Sequence, residues 1–175
     1  MVPAKSPFVL ALSVRLALSY TFIVRINSAR PRRGSNTFAY SSYCALLDPT
    51  IYGFKHSSNG TLTALNILPS MPQGSPNNEG YCPFKAAPDT TNHVAIPVSA
   101  LYNHVWQLAV YTLDASGNLT TNSTSSNMPK VSVGVNDVSA SPSGKYLAVG
   151  GISGLQIFQR RKRSAHPITY RRRNT

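Results

Sequence analysis

Between residues 34 and 158 the apolar residues fall into short, near-continuous runs of about four to six, separated by turns rich in Gly, Pro, Asn and Ser. No stretch in this region keeps the i, i+3, i+4 spacing of an amphipathic helix, and its prolines recur too often for long helices. Runs that are apolar at consecutive positions suit strands whose sheets are covered on both faces. The pattern predicts an all-β chain.

The runs recur. Tyr52–Thr63 aligns without a gap on Ala109–Thr120, 57 residues later. In both copies an aromatic residue (Phe54, Tyr111) closes a strand, a turn ends on glycine (Gly60, Gly117), and Leu-Thr opens the next strand. Glycine supplies the positive φ of a tight hairpin turn, so the match is mechanical as well as textual. A second unit, Ala87–Ile96, aligns on Ser141–Val149, with His93–Ile96 falling on Tyr146–Val149 at a spacing of 53. Each copy is a Pro-containing turn feeding a short apolar strand. An eroded copy is expected ahead of both, with strands at Thr37–Tyr40 and Ile51–Phe54. A period near 50 residues is that of one four-stranded propeller blade, and two to three such blades are too few to close a ring.

Charge changes the picture only at the ends. The 175 residues carry a net charge of +12, but residues 1–33 hold +6 of it and residues 159–175 hold +7, which leaves the middle at −1. The high net charge therefore describes the tails and no binding face, and no nucleic-acid partner is expected. In the leader, residues 1–33, Lys5 precedes an apolar stretch from Phe8 to Val24 that Arg15 interrupts. This reads as an export signal or its remnant, and a central Arg argues against a stable membrane span. The tail, residues 160–175, contains Arg160–Arg163 and Arg171–Arg173. Runs of this kind are ordinarily solvated, so the tail is expected to be disordered. A different origin is open as well. Phe158–Lys162 written TTT-CAA-CGG-CGC-AAG reads Phe-Asn-Gly-Ala one base later, which would make the tail a frame-shifted continuation of the fold.

The segment from Leu108 to Phe158 resembles the lactonase-type (YVTN-like) seven-bladed β-propeller family. The resemblance rests on Leu108–Tyr111, Asp114–Thr120, Ser141–Gly151 and Gly154–Phe158. It extends over residues 36–159 and is densest over 86–158. It implies a blade architecture and, through relatives similar to bacterial 6-phosphogluconolactonases, a lactonase-type hydrolase of which this chain would be a fragment. A site assembled at the ring centre from several blades would be incomplete here.

Candidate chemistry is thin. There is no G-x-S-x-G nucleophile elbow, since the serine within Gly150–Gly154 has the wrong glycine spacing. His56, His93, His104 and His166 share no metal-ligand spacing, and Cys44 and Cys82 form no C-x-x-C, so neither a metal site nor a cofactor is expected. The two cysteines allow one bridge, or stand as two half-buried thiols. Asp48, Asp89 and Asp114 sit beside Pro or Gly turns, where aspartate caps the backbone, and Glu79 and Asp137 lie far from them. Tyr102 and Trp106, in the loop 99–107, read first as packing between blades and second as an aromatic ligand contact. Asn59, Asn118 and Asn122 open N-x-[ST] patterns that permit glycosylation in a secretory route and also arise by chance in such turns.

The reading is an all-β, incomplete β-propeller of two to three antiparallel blades over residues 34–159, with disordered basic ends. Its expected role is a non-catalytic scaffold or binding fragment, extracellular or periplasmic, with an unknown ligand or protein partner. Open blade edges would favour self-association. No catalytic residue is assigned.

Overall fold

The computed structural model describes residues 18–25, 37–44, 49–66, 69–78, 80–89, 91–101, 103–163 and 166–172. These residues contain fourteen β-strands, a single 3-10 turn at Pro76–Asn78 and no α-helix. Three antiparallel sheets result, and none of them closes on itself.

The first sheet is a four-stranded meander of β1 (Leu18–Arg25), β2 (Thr37–Cys44), β3 (Thr50–His56) and β4 (Leu62–Ala64). The second is built on two eight-residue strands, β7 (His93–Ala100) and β8 (Trp106–Leu113). One side of β7 carries β5 (Tyr81–Pro83) and β6 (Ala87–Pro88). The far side of β8 carries β9 (Leu119–Thr121) and β10 (Lys130–Val131). The third is again a meander: β11 (Val135–Ala140), β12 (Tyr146–Gly151), β13 (Gly154–Arg163) and β14 (His166–Arg172).

Two expectations about the ends need correction. The tail is not disordered over its described length: residues 160–163 extend β13, and β14 pairs with it from Phe158↔Arg172 to Arg163↔His166. Part of the leader is likewise structural, because Leu18–Arg25 pairs with all eight residues of β2. Residues 1–17 and 26–36 lie outside the described residues. Antiparallel pairing explains why the charge runs did not prevent strand formation. A strand satisfies its backbone groups through the ladder whatever its side chains are.

Two hydrophobic cores lie on either side of the second sheet, and the two-residue period of its strands assigns residues to each. Val94, Ile96, Val98 and Ala100 of β7, with Ala109, Tyr111 and Leu113 of β8, meet Phe38, Tyr40 and Ile51 of the first sheet. The intervening Ala95 and Leu108, with Val110 packed beside them, meet Val135, Val138, Leu147, Val149 and Phe158 of the third. β7 is therefore buried at every position after His93. The unbroken apolar run Val94–Val98 in the sequence has this cause: neither face of the strand meets water.

The first and second sheets are also tied covalently and by a hydrogen bond. Cys44, the last residue of β2, is bridged to Cys82 of β5, 38 positions later in sequence, with Cα atoms 5.1 Å apart. The Tyr40 hydroxyl donates to the Gly117 carbonyl over 2.7 Å in a buried position.

Candidate functional site

The most concentrated polar chemistry lies where the second sheet meets the third. The chain leaves β6 at Pro88 and must reverse into β7, and Asp89 makes that turn. Its Oδ1 accepts from the Thr91 amide (2.8 Å), the Thr91 hydroxyl (2.6 Å) and the His93 amide (3.2 Å). The Asp89 amide in turn donates to the His93 carbonyl (2.9 Å). Aspartate capping of this type is the reason for its abundance in turns, as the sequence predicted for Asp89.

Capping does not account for the burial. The Asp89 side chain is 1% exposed, and an isolated carboxylate at that depth would be destabilised by several kcal/mol. Its counter-charge comes from the next sheet. Arg160 Nη1 stands 2.9 Å from Asp89 Oδ2, with the Arg side chain 15% exposed. The guanidinium is not aimed along a hydrogen-bond direction, and both Oδ2 of Asp89 and Nε of Arg160 lack a hydrogen bond. The attraction is accordingly Coulombic between two desolvated charges, and the Arg160 amide, donating to the Lys145 carbonyl (2.8 Å), fixes where the side chain starts.

His93 completes the cluster. Its Nδ1 lies 2.8 Å from Thr91 Oγ1 and 3.9 Å from Asp89 Oδ2. A carboxylate only accepts, so the single Thr91 hydroxyl proton goes to Asp89. Thr91 Oγ1 must then accept from His93, which places a proton on Nδ1. The four groups form a directed chain, His93 to Thr91 to Asp89, closed by Arg160.

That chain is ill suited to catalysis. A nucleophilic Thr91 needs a base to take its proton, and the group holding that proton is a carboxylate already paired with Arg160, whose Oδ1 also accepts from the Thr91 and His93 amides. His93 donates toward Thr91 rather than accepting from it. A second carboxylate for acid–base work is distant: Asp137 is exposed and paired with Lys85 at 3.3 Å, and Asp114 caps its own turn through the amides of Ser116 and Asn118. The cluster works as a clasp between sheets.

The remaining candidates disperse. His56 ends β3, and His104 occupies an exposed loop with a positive φ of 51°. His166 begins β14. Asp48, Glu79 and Tyr102 lie outside the described residues. Trp106 opens β8 and meets Phe84 edge-on, centroids 5.7 Å apart and planes at 82°, as part of the packing toward the third sheet. The asparagines serve turns: Asn59 Oδ1 accepts from the Thr61 amide, and Asn118 Nδ2 donates to Asp114. Among the described residues no three His, Cys, Asp or Glu side chains gather as metal ligands. Nor is any helix among them long and apolar enough to cross a membrane.

Sequence reading missed Arg160 and Thr91. Arg160 stood within a basic run that ordinarily means solvent, and nothing local marks one basic residue of four as turned inward. No protein-family model, curated protein or solved structure matches the chain.

Proposed function

We propose that the three sheets are consecutive blades of an open β-propeller-type scaffold, exported from the cytosol, that binds a ligand or protein partner and catalyses nothing. The observation that carries this reading is the alternation of β7 and β8 between two cores, which makes the middle sheet a slab between two others. Blades of a propeller stack in this way.

Two further observations support it. The turns after β3 and β8 close with the same bonds 57 residues apart: Ser57 N to Thr61 O and Gly60 N to Ser57 O, against Asp114 N to Asn118 O and Gly117 N to Asp114 O. The turns leading into β7 and β12 also correspond, with Asp89 N donating to His93 O and Ser141 N to Tyr146 O. Turns 89–92 and 114–118 lie at one end of the second sheet, since His93 pairs with Thr112. The exposed Thr91, Asn92, Asp114 and Ser116 side chains of these turns offer donors and acceptors to a polar partner without a cofactor. The Cys44–Cys82 bridge supports an oxidising setting, as in a periplasm or outside the cell.

The test is hydrolysis of 6-phosphogluconolactone and unphosphorylated gluconolactone by the purified chain. The reading expects the spontaneous rate. Acceleration above that rate by the folded chain would establish the lactonase alternative instead.

A further inference from the structure

Pairing registers reveal that the sheets stack in one sense only. In the second sheet Ala95 pairs with Val110 and Pro97 with Leu108, and this face packs on the third sheet. In the first sheet Tyr40 pairs with Gly53 and Ser42 with Ile51, and it is this face that packs on the second. Ile51 and Gly53 precede Leu108 and Val110 by 57 residues, the offset of the two matching turns. Each sheet thus lays the same face on the opposite face of its successor.

Among the described residues no further sheet covers the corresponding face of the third. Ala148 pairs with Ile157 and Gly150 with Leu155, in the places of Ala95 with Val110 and Pro97 with Leu108. Three of the four residue types match, with Gly150 in the place of Pro97, yet Leu155 is 67% exposed, and a Cβ placed on Gly150 would meet nothing within 4 Å. Ile152, at the turn beside them, is 86% exposed. At the other end of the stack the outward face of the first sheet carries Tyr43, Tyr52 and Phe54, with Tyr52 44% exposed. One end of the stack presents a leading face and the other a trailing face, the two kinds that already meet twice inside the chain.

We infer that two copies of this chain dock head to tail, the Leu155 face of each covering the Tyr52 face of the other. The partner is argued from continuity with the two internal interfaces, whose geometry the new contact repeats. An association of unlike faces closes when the rotation per step permits. Two copies bring six sheets, within the range of about four to eight at which such rings close. This rests on the stacked-blade reading above.

The experiment is sedimentation and light scattering of the full 175-residue chain across a dilution series, with Leu155→Lys, Tyr52→Lys and an equimolar mixture of the two. Both substitutions fall on exposed positions, and far-UV circular dichroism checks that each variant folds. A particle of twice the 18.9 kDa chain mass is expected. Either substitution alone should raise its dissociation constant by at least about tenfold, a change of about 1.4 kcal/mol. Mixing should partly restore association, because one interface then joins two unaltered faces. A monomer at every concentration overturns the inference. So does a dimer broken by Leu155→Lys but indifferent to Tyr52→Lys, which would be a symmetric pairing of like faces, or an open-ended polymer. Ala95→Asp, placed between the second and third sheets, is the separate control for stacking. A cooperative melt that this substitution lowers, in a protein that stays monomeric, sinks the docking and leaves the blades standing.

Discussion

Asp89 and Arg160, 71 positions apart in the chain, meet at 2.9 Å across the junction of the second and third sheets. Neither is replaceable alone, because each is the reason the other tolerates its burial. Arg160→Met should destabilise the fold by about 3 kcal/mol, since it leaves an unpaired buried carboxylate. Asp89→Ala should cost more, because the Thr91 and His93 amides lose their acceptor as well. Urea denaturation of both variants and of the double variant measures the coupling. Additive effects would show that the pair does not interact.

Tyr40 offers a cleaner subtraction. Tyr40→Phe removes the buried hydrogen bond to the Gly117 carbonyl and little volume, so a loss of about 1 kcal/mol is expected in the same assay. Gly117→Ala should cost more, about 1–3 kcal/mol. Gly117 has a φ of +94°, and the Phe38 ring occupies the space its Cβ would need.

Reduction should weaken the fold strongly. The Cys44–Cys82 bridge spans 38 residues, and closing a loop of that length stabilises by about 4 kcal/mol in the chain-entropy picture. The measurement is the denaturation midpoint with and without dithiothreitol, repeated on Cys44→Ala/Cys82→Ala, which should be insensitive to the reductant.

Stability should fall at both extremes of pH, for opposite reasons. The Asp114 carboxyl is held below its ordinary value of 3.8, chiefly by the Asn118 amide, then by the Asn118 side chain and the Ser116 and Gly117 amides, with burial opposing. A depressed acid contributes stability above its unfolded value, and the contribution fades as pH drops from there through the folded value. The group is exposed, so the effect is small, and Asp114→Asn should flatten it. Burial raises the phenols of Tyr111 and Tyr40 above their ordinary value of 10, with the Asp114 charge adding to the shift at Tyr40. Their contribution is complete below pH 10 and is lost as pH climbs beyond it. Melting temperature against pH checks both limbs, and Tyr111→Phe should blunt the alkaline one.

Much of this was legible in the residues where local physics decides. The hairpin turns at Gly60 and Gly117 follow from glycine's access to positive φ, and Asp89 as a turn cap follows from its short acceptor side chain. What the sequence could not carry was relative placement across the fold. The bridge was left open because a spacing of 38 residues does not say that two Cα atoms come within 5.1 Å. Arg160 was misplaced for the same reason: its burial depends on a carboxylate in another sheet, and a charge run contains no trace of it. Trp106 was read first as a packing residue, and it meets Phe84 edge-on beside the core that faces the third sheet.

A strand like β7, buried on both flanks at every position after His93, also constrains how the chain can be made. During synthesis its Val94–Ala100 segment emerges before Leu147 and Phe158, the residues that will shield its second side, have left the ribosome. For that interval the nascent protein exposes a sticky surface, and chaperone capture or slow translation through residues 100–160 would decide how much of it survives to maturity.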